Sequence, residues 1–329
     1  MTESAGKIKN ILTGTNLLDN AEFDFNLSGI ASLGAGGRCA CFLKVERRSD
    51  LAMLVSQIAP DSSIKCYPVG ECTNILFNEG YLDILVIRLG GDFNYFNCGK
   101  NGEISAGASL NLQKFLVLAA MHGYDFSFLA GIPGTVGGAI IGNSGTQVQG
   151  INQMVSRIRY IYRDSKKVEE KEININSSNY SYRFFEVEGL FLLTDIVFKK
   201  NTDHPVKMTA AGAEKDRALK LPVKDGILEK IRKNIKIKKR NQPLGLKSAG
   251  CFFKNPAGIA KSAAEIIDCC GFKGFRFGDA IVSEKHANFI INSGSAMSRD
   301  IHTLSEIVRD HVMKKYKIDL KYEVRLVGF

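Results

Sequence analysis

What this chain lacks narrows its class first. No stretch approaches the ~18 consecutive apolar residues of a membrane span, so the sequence offers no transmembrane helix. The N-terminus, MTESAGKIKNILTG, has neither an apolar h-region nor a small-residue cleavage site, so no secretory signal is expected. The eight cysteines, Cys39, Cys41, Cys66, Cys72, Cys98, Cys251, Cys269 and Cys270, include no CxxC pair, and no histidine lies near them at zinc spacing. A zinc site is thereby excluded and no metal is expected. Without an export signal these read as free thiols of a reducing cytoplasm, most of them small buried hydrophobes. There is no GK[ST] after a glycine-rich loop and no GxGxxG, so neither the P-loop nor the Rossmann fingerprint is present. Internal repeats and low-complexity tracts are absent as well.

The 329 residues are enough for two or three domains with real cores. Hydrophobic residues at 45% and charged residues at 24% describe a globular chain and not a disordered one. Lys and Arg number 44 against 34 Asp and Glu, a net +10 that favours anionic partners such as nucleotides, nucleic acids or acidic membranes without choosing among them.

Along the chain, residues 1–20 are polar with no clear period and read as a loose arm. Residues 39–45 read as a strand, followed by a helix capped by Ser49 with Leu51, Leu54, Val55 and Ile58 on one face. Residues 64–69 and 84–89 read as strands around a glycine-bearing loop. A second unit begins near residue 90. It contains a helix with Leu112, Phe115, Leu116 and Ala119 inward, closed by Gly123, and strands at 155–162 and 190–198. A charged segment near 199–225 reads as a linker plus a helical start, and 227–240 as a basic helix with Ile227, Ile231 and Ile235 on one side. A third unit spans 245–318. The spacing predicts helices at 259–270 and after Ser298, the latter with Ile301, Leu304, Val308 and Val312 inward, and strands at 287–292 and 322–327.

The strongest chemical signal is Gly131-Ile132-Pro133-Gly134-Thr135-Val136-Gly137-Gly138-Ala139. Glycine allows a ligand to lie directly on the backbone, and successive N–H groups curled this way cradle phosphate oxygens. A plain structural turn is the alternative. A second loop, Gly70-Glu71-Cys72-Thr73-Asn74, follows a strand and offers a hydroxyl and an amide to a diphosphate or ribose. Leu33–Gly37 is a third, weaker loop. A dinucleotide lying between two adjacent units would need backbone donors from both. Cys251, with Lys254 three residues on, is either a reactive thiol or an inert buried one. His286 sits in a polar cluster before a strand. The basic helix carries Lys239 and Arg240 at its C-terminal end, where an anion-binding edge is expected. Nucleic acid is not favoured there, since no stacking aromatics interleave with the basic residues.

These motifs share an order. GIPGTVGGA followed by Asn143, PVGECTNIL, Tyr182-Arg183, SAGCFFKNP, VSEKHANFIIN and the terminal Glu323-Val324-Arg325 resemble, from about residue 28 to the C-terminus, the UDP-N-acetylenolpyruvoylglucosamine reductase family in its shorter form. The resemblance implies an α+β fold: two FAD-binding subdomains of the vanillyl-alcohol-oxidase (PCMH) type, residues 21–90 and 91–200, then an α/β substrate domain at 201–318 and a terminal strand at 319–329 carrying Glu323. It implies a cytoplasmic oxidoreductase of peptidoglycan precursor synthesis that uses non-covalent FAD and NADPH to reduce UDP-N-acetylglucosamine enolpyruvate to UDP-N-acetylmuramate, with no membrane, nucleic acid or obligate protein partner.

Carried over position by position, Arg183 matches the catalytic arginine, Glu323 the terminal glutamate, and Cys251 the proton donor, commonly serine. A thiol with an ordinary pKa of about 8.5 can fill that role. Flavin binding falls to Gly70, Glu71, Cys72, Thr73, Asn74, Asn143 and the segment Gly131, Ile132, Pro133, Gly134, Thr135, Gly137, Gly138 and Ala139. Substrate binding falls to Tyr182, Lys239, Arg240, Lys254, Asn255 and His286. Cys72-Thr73-Asn74 stands where Gly-Ser-Asn is common, and the loop at 31–37 lacks the usual Thr-Phe-Arg run. The rival class is a non-catalytic nucleotide- or nucleic-acid-binding protein, which would not need Arg183, Cys251 and Glu323. A nearer rival is a covalent flavin oxidase, which needs a His or Cys at the ring, and no His lies in the glycine-rich loops.

Overall fold

A computed structural model describes residues 2–58, 63–164, 167–199 and 225–329. The expected linker at 199–225 lies almost wholly outside them. The first unit contains α1 (Glu3–Leu12), β1 (Ala21–Asn26), β2 (Arg38–Val45), α2 (Arg48–Ile58), β3 (Cys66–Val69), β4 (Ile75–Phe77) and β5 (Tyr81–Leu89). Its four-stranded sheet runs β1-β2-β5-β3, with β2, β5 and β3 parallel. The second unit contains β6 (Phe96–Cys98), β7 (Ile104–Gly107), α3 (Leu112–Met121), α4 (Val136–Ile141), β8 (Val155–Arg163), β9 (Val168–Asn174), a small hairpin of β10 (Tyr180–Ser181) and β11 (Phe184–Phe185), and β12 (Leu190–Phe198). Its sheet, β6-β7-β12-β8-β9, is antiparallel throughout. Helix α5 (Asp225–Asn241) leads to the third unit: β13 (Ser248–Cys251), α6 (Ala263–Asp268), β14 (Arg276–Phe277), β15 (Ala280–Val282), β16 (Phe289–Asn292), α7 (Ser298–Tyr316) and β17 (Arg325–Val327). Its antiparallel sheet runs β13-β16-β15-β14. The fold is α+β, as expected.

Residues 2–20, expected as part of a loose arm, are ordered against the core. Thr2 caps α1 by accepting the Ala5 N–H, and Ala5, Ile8 and Leu12 are buried in the core that also holds Leu43, Leu85 and Phe115. Ala5, Ile8 and Leu12 form that face with Ile11 packed beside them, and lysines and an asparagine interrupt it in sequence. That core is continuous through the first two units. A second core belongs to the third unit, where Ile301, Leu304, Val308 and Val312 line one face of α7 as their spacing requires.

Two helix starts differ from expectation. Helix α2 begins before Ser49, and the Arg48 N–H is accepted by Asp92 Oδ2 of the second unit at 3.0 Å. Helix α6 is shorter than 259–270 because Ser262 and Glu265 close a capping box at its start.

Two features join the third unit to the first. The loop at 31–37 is a joint between units. Leu33 and Ala35 lie in the third unit's core, Asn292 Nδ2 donates to Leu33 O at 2.9 Å, and Ser32 Oγ to Ser248 O at 2.7 Å. Strand β17 pairs in parallel with β4, Arg325 opposite Ile75 and Val327 opposite Phe77. Strand β17 is shorter than the expected 322–327, so Glu323 lies just ahead of it.

Candidate active site

The two glycine-bearing loops meet. The loop at 70–74 leaves the C-terminal end of β3, and Thr73 Oγ1 donates to Pro133 O at 3.4 Å in the loop before α4. A Cβ added at Gly70 would stand 2.7 Å from Thr135 Oγ1, and one at Gly134 3.0 Å from Thr73 Oγ1. Among the described residues, the main-chain N–H groups of Glu71, Cys72, Thr73 and Asn74 donate to no protein acceptor. Cys72 has φ +51°, and a left-handed residue among consecutive N–H groups is what curls them toward one anion. Glycine would adopt this φ without strain. Here the buried Cys72 sulfur is held by Arg88 Nη2 at 3.5 Å. Beside them the Glu71 carboxylate accepts from Asn111 Nδ2 at 3.2 Å.

The glycines of the second loop differ in purpose. Gly131 has φ +77°, and its N–H is held by Gln113 Oε1 at 2.8 Å, while Gln113 Nε2 donates to Ile132 O at 2.7 Å. A Cβ at Gly137 would lie 2.9 Å from the Ala108 carbonyl oxygen, so packing within the protein already demands glycine there. At Gly138 a Cβ would meet only Thr135 Oγ1, at 3.4 Å, and Thr135 Oγ1 accepts the Gly138 N–H at 3.1 Å. Gly138, in the first turn of α4, therefore has open space in front of it. The unpaired row of N–H groups, the flanking threonine hydroxyls and this open glycine fit the diphosphate of a bound dinucleotide. Asn143 is engaged inside the protein. Its Nδ2 donates to Ser181 O at 2.6 Å, and its Oδ1 accepts the Asn152 N–H at 3.2 Å.

Arg183 occupies the tip of the β10–β11 hairpin in a left-handed conformation, φ +53°. Strain of this kind in a non-glycine residue collects at functional sites. Its Nε donates to Glu323 Oε1 at 2.6 Å, Nη1 to Asn143 O at 3.3 Å and Nη2 to Gly145 O at 3.0 Å. The tyrosine ring of Tyr182 lies 5.2 Å from the guanidinium carbon, and Tyr182 Oη accepts the Asn255 N–H at 3.5 Å. Lys254 Nζ donates to Arg183 O at 3.4 Å, and Asn255 Oδ1 accepts the Ala263 N–H at 3.0 Å. Cys251 ends β13, one residue before Phe252, whose carbonyl accepts the Glu323 N–H at 2.9 Å. A cavity of about 260 Å³, lined by Thr146, Gln149, Ser181 and Tyr182 among others, opens beside Arg183.

The electrostatics follow from burial. Desolvation pushes the Cys251 thiol up to about 12, with Glu323 adding to it and Arg183 and Lys238 opposing, so the group is a thiol rather than a thiolate at neutral pH. The expected donor therefore has a far higher pKa than the ordinary thiol value. Burial likewise raises Glu323 above the usual carboxylate range, against the pull of Arg183. It also raises Tyr182, with Glu323 adding.

Lys239 and Arg240 are exposed. The lysine that turns inward on α5 is Lys238. Its side chain packs over Gly131, 3.2 Å from where a Cβ would be, and burial draws its ammonium down to about 8 with Arg183 adding. The sequence carried a signal for it, because Lys238 falls on the helical stripe of Ile227, Ile231 and Ile235. His286 packs edge-on against Phe289 at 4.8 Å, and its buried Nδ1 has no hydrogen-bond partner among the described residues. Burial, then the nearby Lys273 charge, lowers its pKa. Its observed contacts lie within the third unit. Among the described residues no cluster of three His, Cys, Asp or Glu side chains could hold a metal, and no helix is long and apolar enough to cross a membrane.

The fold and these loops define a flavin-binding oxidoreductase. Residues 39–169 match the family described as FAD binding domain, and residues 242–327 match UDP-N-acetylenolpyruvoylglucosamine reductase, C-terminal domain. The UDP-N-acetylenolpyruvoylglucosamine reductase of Anaplasma marginale (strain St. Maries) is 31% identical over 305 residues, covering 92% of this chain and 90% of that protein. The same-named protein of Pelobacter propionicus is 30% identical over 318 residues, 96% and 99% of the two chains. The solved UDP-N-acetylenolpyruvylglucosamine reductase of Thermus caldophilus superposes with a TM-score of 0.72 at 27% identity, covering 92% of this chain and 98% of that one. The chain belongs to the UDP-N-acetylenolpyruvoylglucosamine reductase family.

Proposed function

We propose that the protein is an NADPH-dependent flavoenzyme that reduces UDP-N-acetylglucosamine enolpyruvate to UDP-N-acetylmuramate. The observation that carries this reading is the contact between Arg183 and Glu323, which brings two distant motifs together beside Cys251. A module that only binds nucleotides has no use for it.

The N–H row at 71–74 and the open face at Gly138 would hold FAD without a covalent bond, and the flavin, once reduced, would supply the hydride for C3 of the enolpyruvyl group. The guanidinium has five N–H donors, and the three engaged ones leave two on Nη1 and Nη2 for the substrate carboxylate. Those donors stabilise the negative charge that develops at C2 and in the carboxylate as hydride arrives. Cys251, protonated throughout the neutral range, gives its proton to C2. Glu323 holds the guanidinium plane through Nε. Lys238 takes the anion-binding role expected of Lys239 or Arg240. Lys254 and Asn255 of the third unit brace the hairpin tip at Arg183 and Tyr182.

The test separates the half-reactions in Arg183→Ala. NADPH should still bleach the yellow protein, while reoxidation by the enolpyruvyl substrate should be lost, because the charge of the arginine matters only once the carbanion forms. Equal loss of both half-reactions would assign Arg183 to NADPH binding or to structure. A wild-type protein that is colourless, or indifferent to the enolpyruvyl substrate, would overturn the reductase reading itself.

A further inference from the structure

We infer that Asn74, placed by its sequence among the flavin-binding residues, is a positioning residue for Glu323, so that the loop facing the flavin diphosphate also sets the carboxylate that holds Arg183. The inference rests on the reductase reading above.

The geometry runs through three backbone anchors. The Glu323 N–H donates to Phe252 O at 2.9 Å, beside Cys251. The Glu323 carbonyl accepts from Asn74 Nδ2 at 3.0 Å. Two residues further on, the Arg325 N–H donates to Asn74 O at 3.0 Å. Asn74 thus brackets Val324 from both sides, as a neighbouring strand residue would. Its side chain supplies the rung of the β4–β17 ladder that the main chain cannot reach, and extends the pairing back to Glu323.

Glu323 needs that rung. Strand β17 is only three residues long, and Glu323 precedes it. Without the amide, a partly buried carbonyl loses its donor, and between the Phe252 contact on one side and the Arg325 N–H bond to Asn74 O on the other the Glu323 carbonyl is left unheld. The Glu323 carboxylate must meet Arg183 Nε at 2.6 Å across a separation of 140 residues, so a small shift of the main chain breaks the contact. Asn74 also ends the row of free N–H groups. An anion that orders this row orders the residue holding Glu323. Thr73, one position earlier, points to Pro133 instead, so the function is specific to the asparagine amide.

The test is a double-mutant cycle of Asn74→Ala with Glu323→Gln. In Asn74→Ala, which keeps the main-chain N–H of the row, reoxidation per bound flavin should fall about tenfold, the scale of one lost hydrogen bond. In the Glu323→Gln background the same change should cost less than about twofold, because the residue it acts through is gone. In apoprotein, amide exchange at residues 322–326 should quicken in Asn74→Ala and stay unchanged in Glu323→Gln. Equal losses in both backgrounds, or lost flavin with normal reoxidation per bound flavin, would overturn the inference and leave Asn74 a plain cofactor ligand. If Asn74→Ala does not fold, Asn74→Ser, whose hydroxyl is too short to reach Glu323 O, is judged by the same exchange measurement, and unchanged exchange overturns it. The exchange readout needs no substrate, so it stands apart from a failure of the reductase reading, which would appear as a wild-type protein unreactive to the enolpyruvyl compound.

Discussion

Arg48 and Asp195 form a two-point ion pair between helix α2 of the first unit and strand β12 of the second. Tyr95 Oη donates to the same carboxylate at 2.7 Å, and the guanidinium lies 5.1 Å over the Phe93 ring. Burial pushes Asp195 upward, yet hydrogen bonds from Arg48, Tyr95 and Thr194 outweigh it and hold the carboxyl below its usual value.

Removing Arg48 leaves that carboxylate, 8% exposed, with one partner fewer. Arg48 itself is 40% exposed, so solvent screening reduces the cost below that of a fully buried pair. Arg48→Ala should destabilise the protein by about 2 kcal/mol at pH 7. A carboxyl with a depressed folded pKa stabilises above its unfolded value of about 4 and loses that contribution as pH falls. The gap between wild type and variant should therefore narrow below pH 4. Denaturant unfolding followed across pH checks it, and a gap that widens on acidification would contradict the pairing.

Cys251 as a high-pKa thiol has two consequences. Cys251→Ala should bleach with NADPH but reoxidise about 10²-fold more slowly, the usual scale of a lost general acid, while Cys251→Ser keeps much more activity. Alkylation by iodoacetamide should be slow at pH 7 and accelerate as the solution nears the thiol's value of about 12, because only the thiolate attacks. Single-turnover reoxidation and a pH series of inactivation rates measure both. Near-wild-type reoxidation in the alanine variant returns Cys251 to a buried packing role.

Glycines 137 and 138 should separate. Gly137→Val drives a side chain into Ala108 and should yield little folded protein, whatever it binds. Gly138→Ala meets only Thr135 Oγ1 and should fold, yet it places a methyl group on the face proposed to meet the flavin. Absorbance of the purified Gly138→Ala protein reports the flavin content. A full complement would remove Gly138 from the cofactor surface.

Cys72 sits at a backbone angle that glycine accepts freely and a β-branched residue resists. Cys72→Gly should bind flavin and unfold within about 1 kcal/mol of wild type, relief of strain offsetting the lost sulfur contacts. Cys72→Val should lose flavin, since φ +51° is closed to it and the N–H row would straighten. Flavin titration of both apoproteins decides, and equal affinity in the valine variant would mean the loop does not depend on that curl.

Sequence alone determined the parts of this protein that local periodicity and ordered motifs can report. The stripe Ile301, Leu304, Val308 and Val312 marks the buried face of α7, and residues 190–198 bound a strand, because near neighbours along the chain decide these features. Their order along the chain was enough to resemble one family. Tertiary structure alone decided the rest. It packed α1 into the core, turned Lys238 inward rather than Lys239 or Arg240, assigned Gly137 to packing against Ala108, and engaged Asn143 inside the protein. It also raised Cys251 far above an ordinary thiol and tied Asn74 to Glu323 across 249 residues. Each of these depends on which distant surfaces exclude water from one another, and that follows from three units closing together rather than from the neighbours of any one residue.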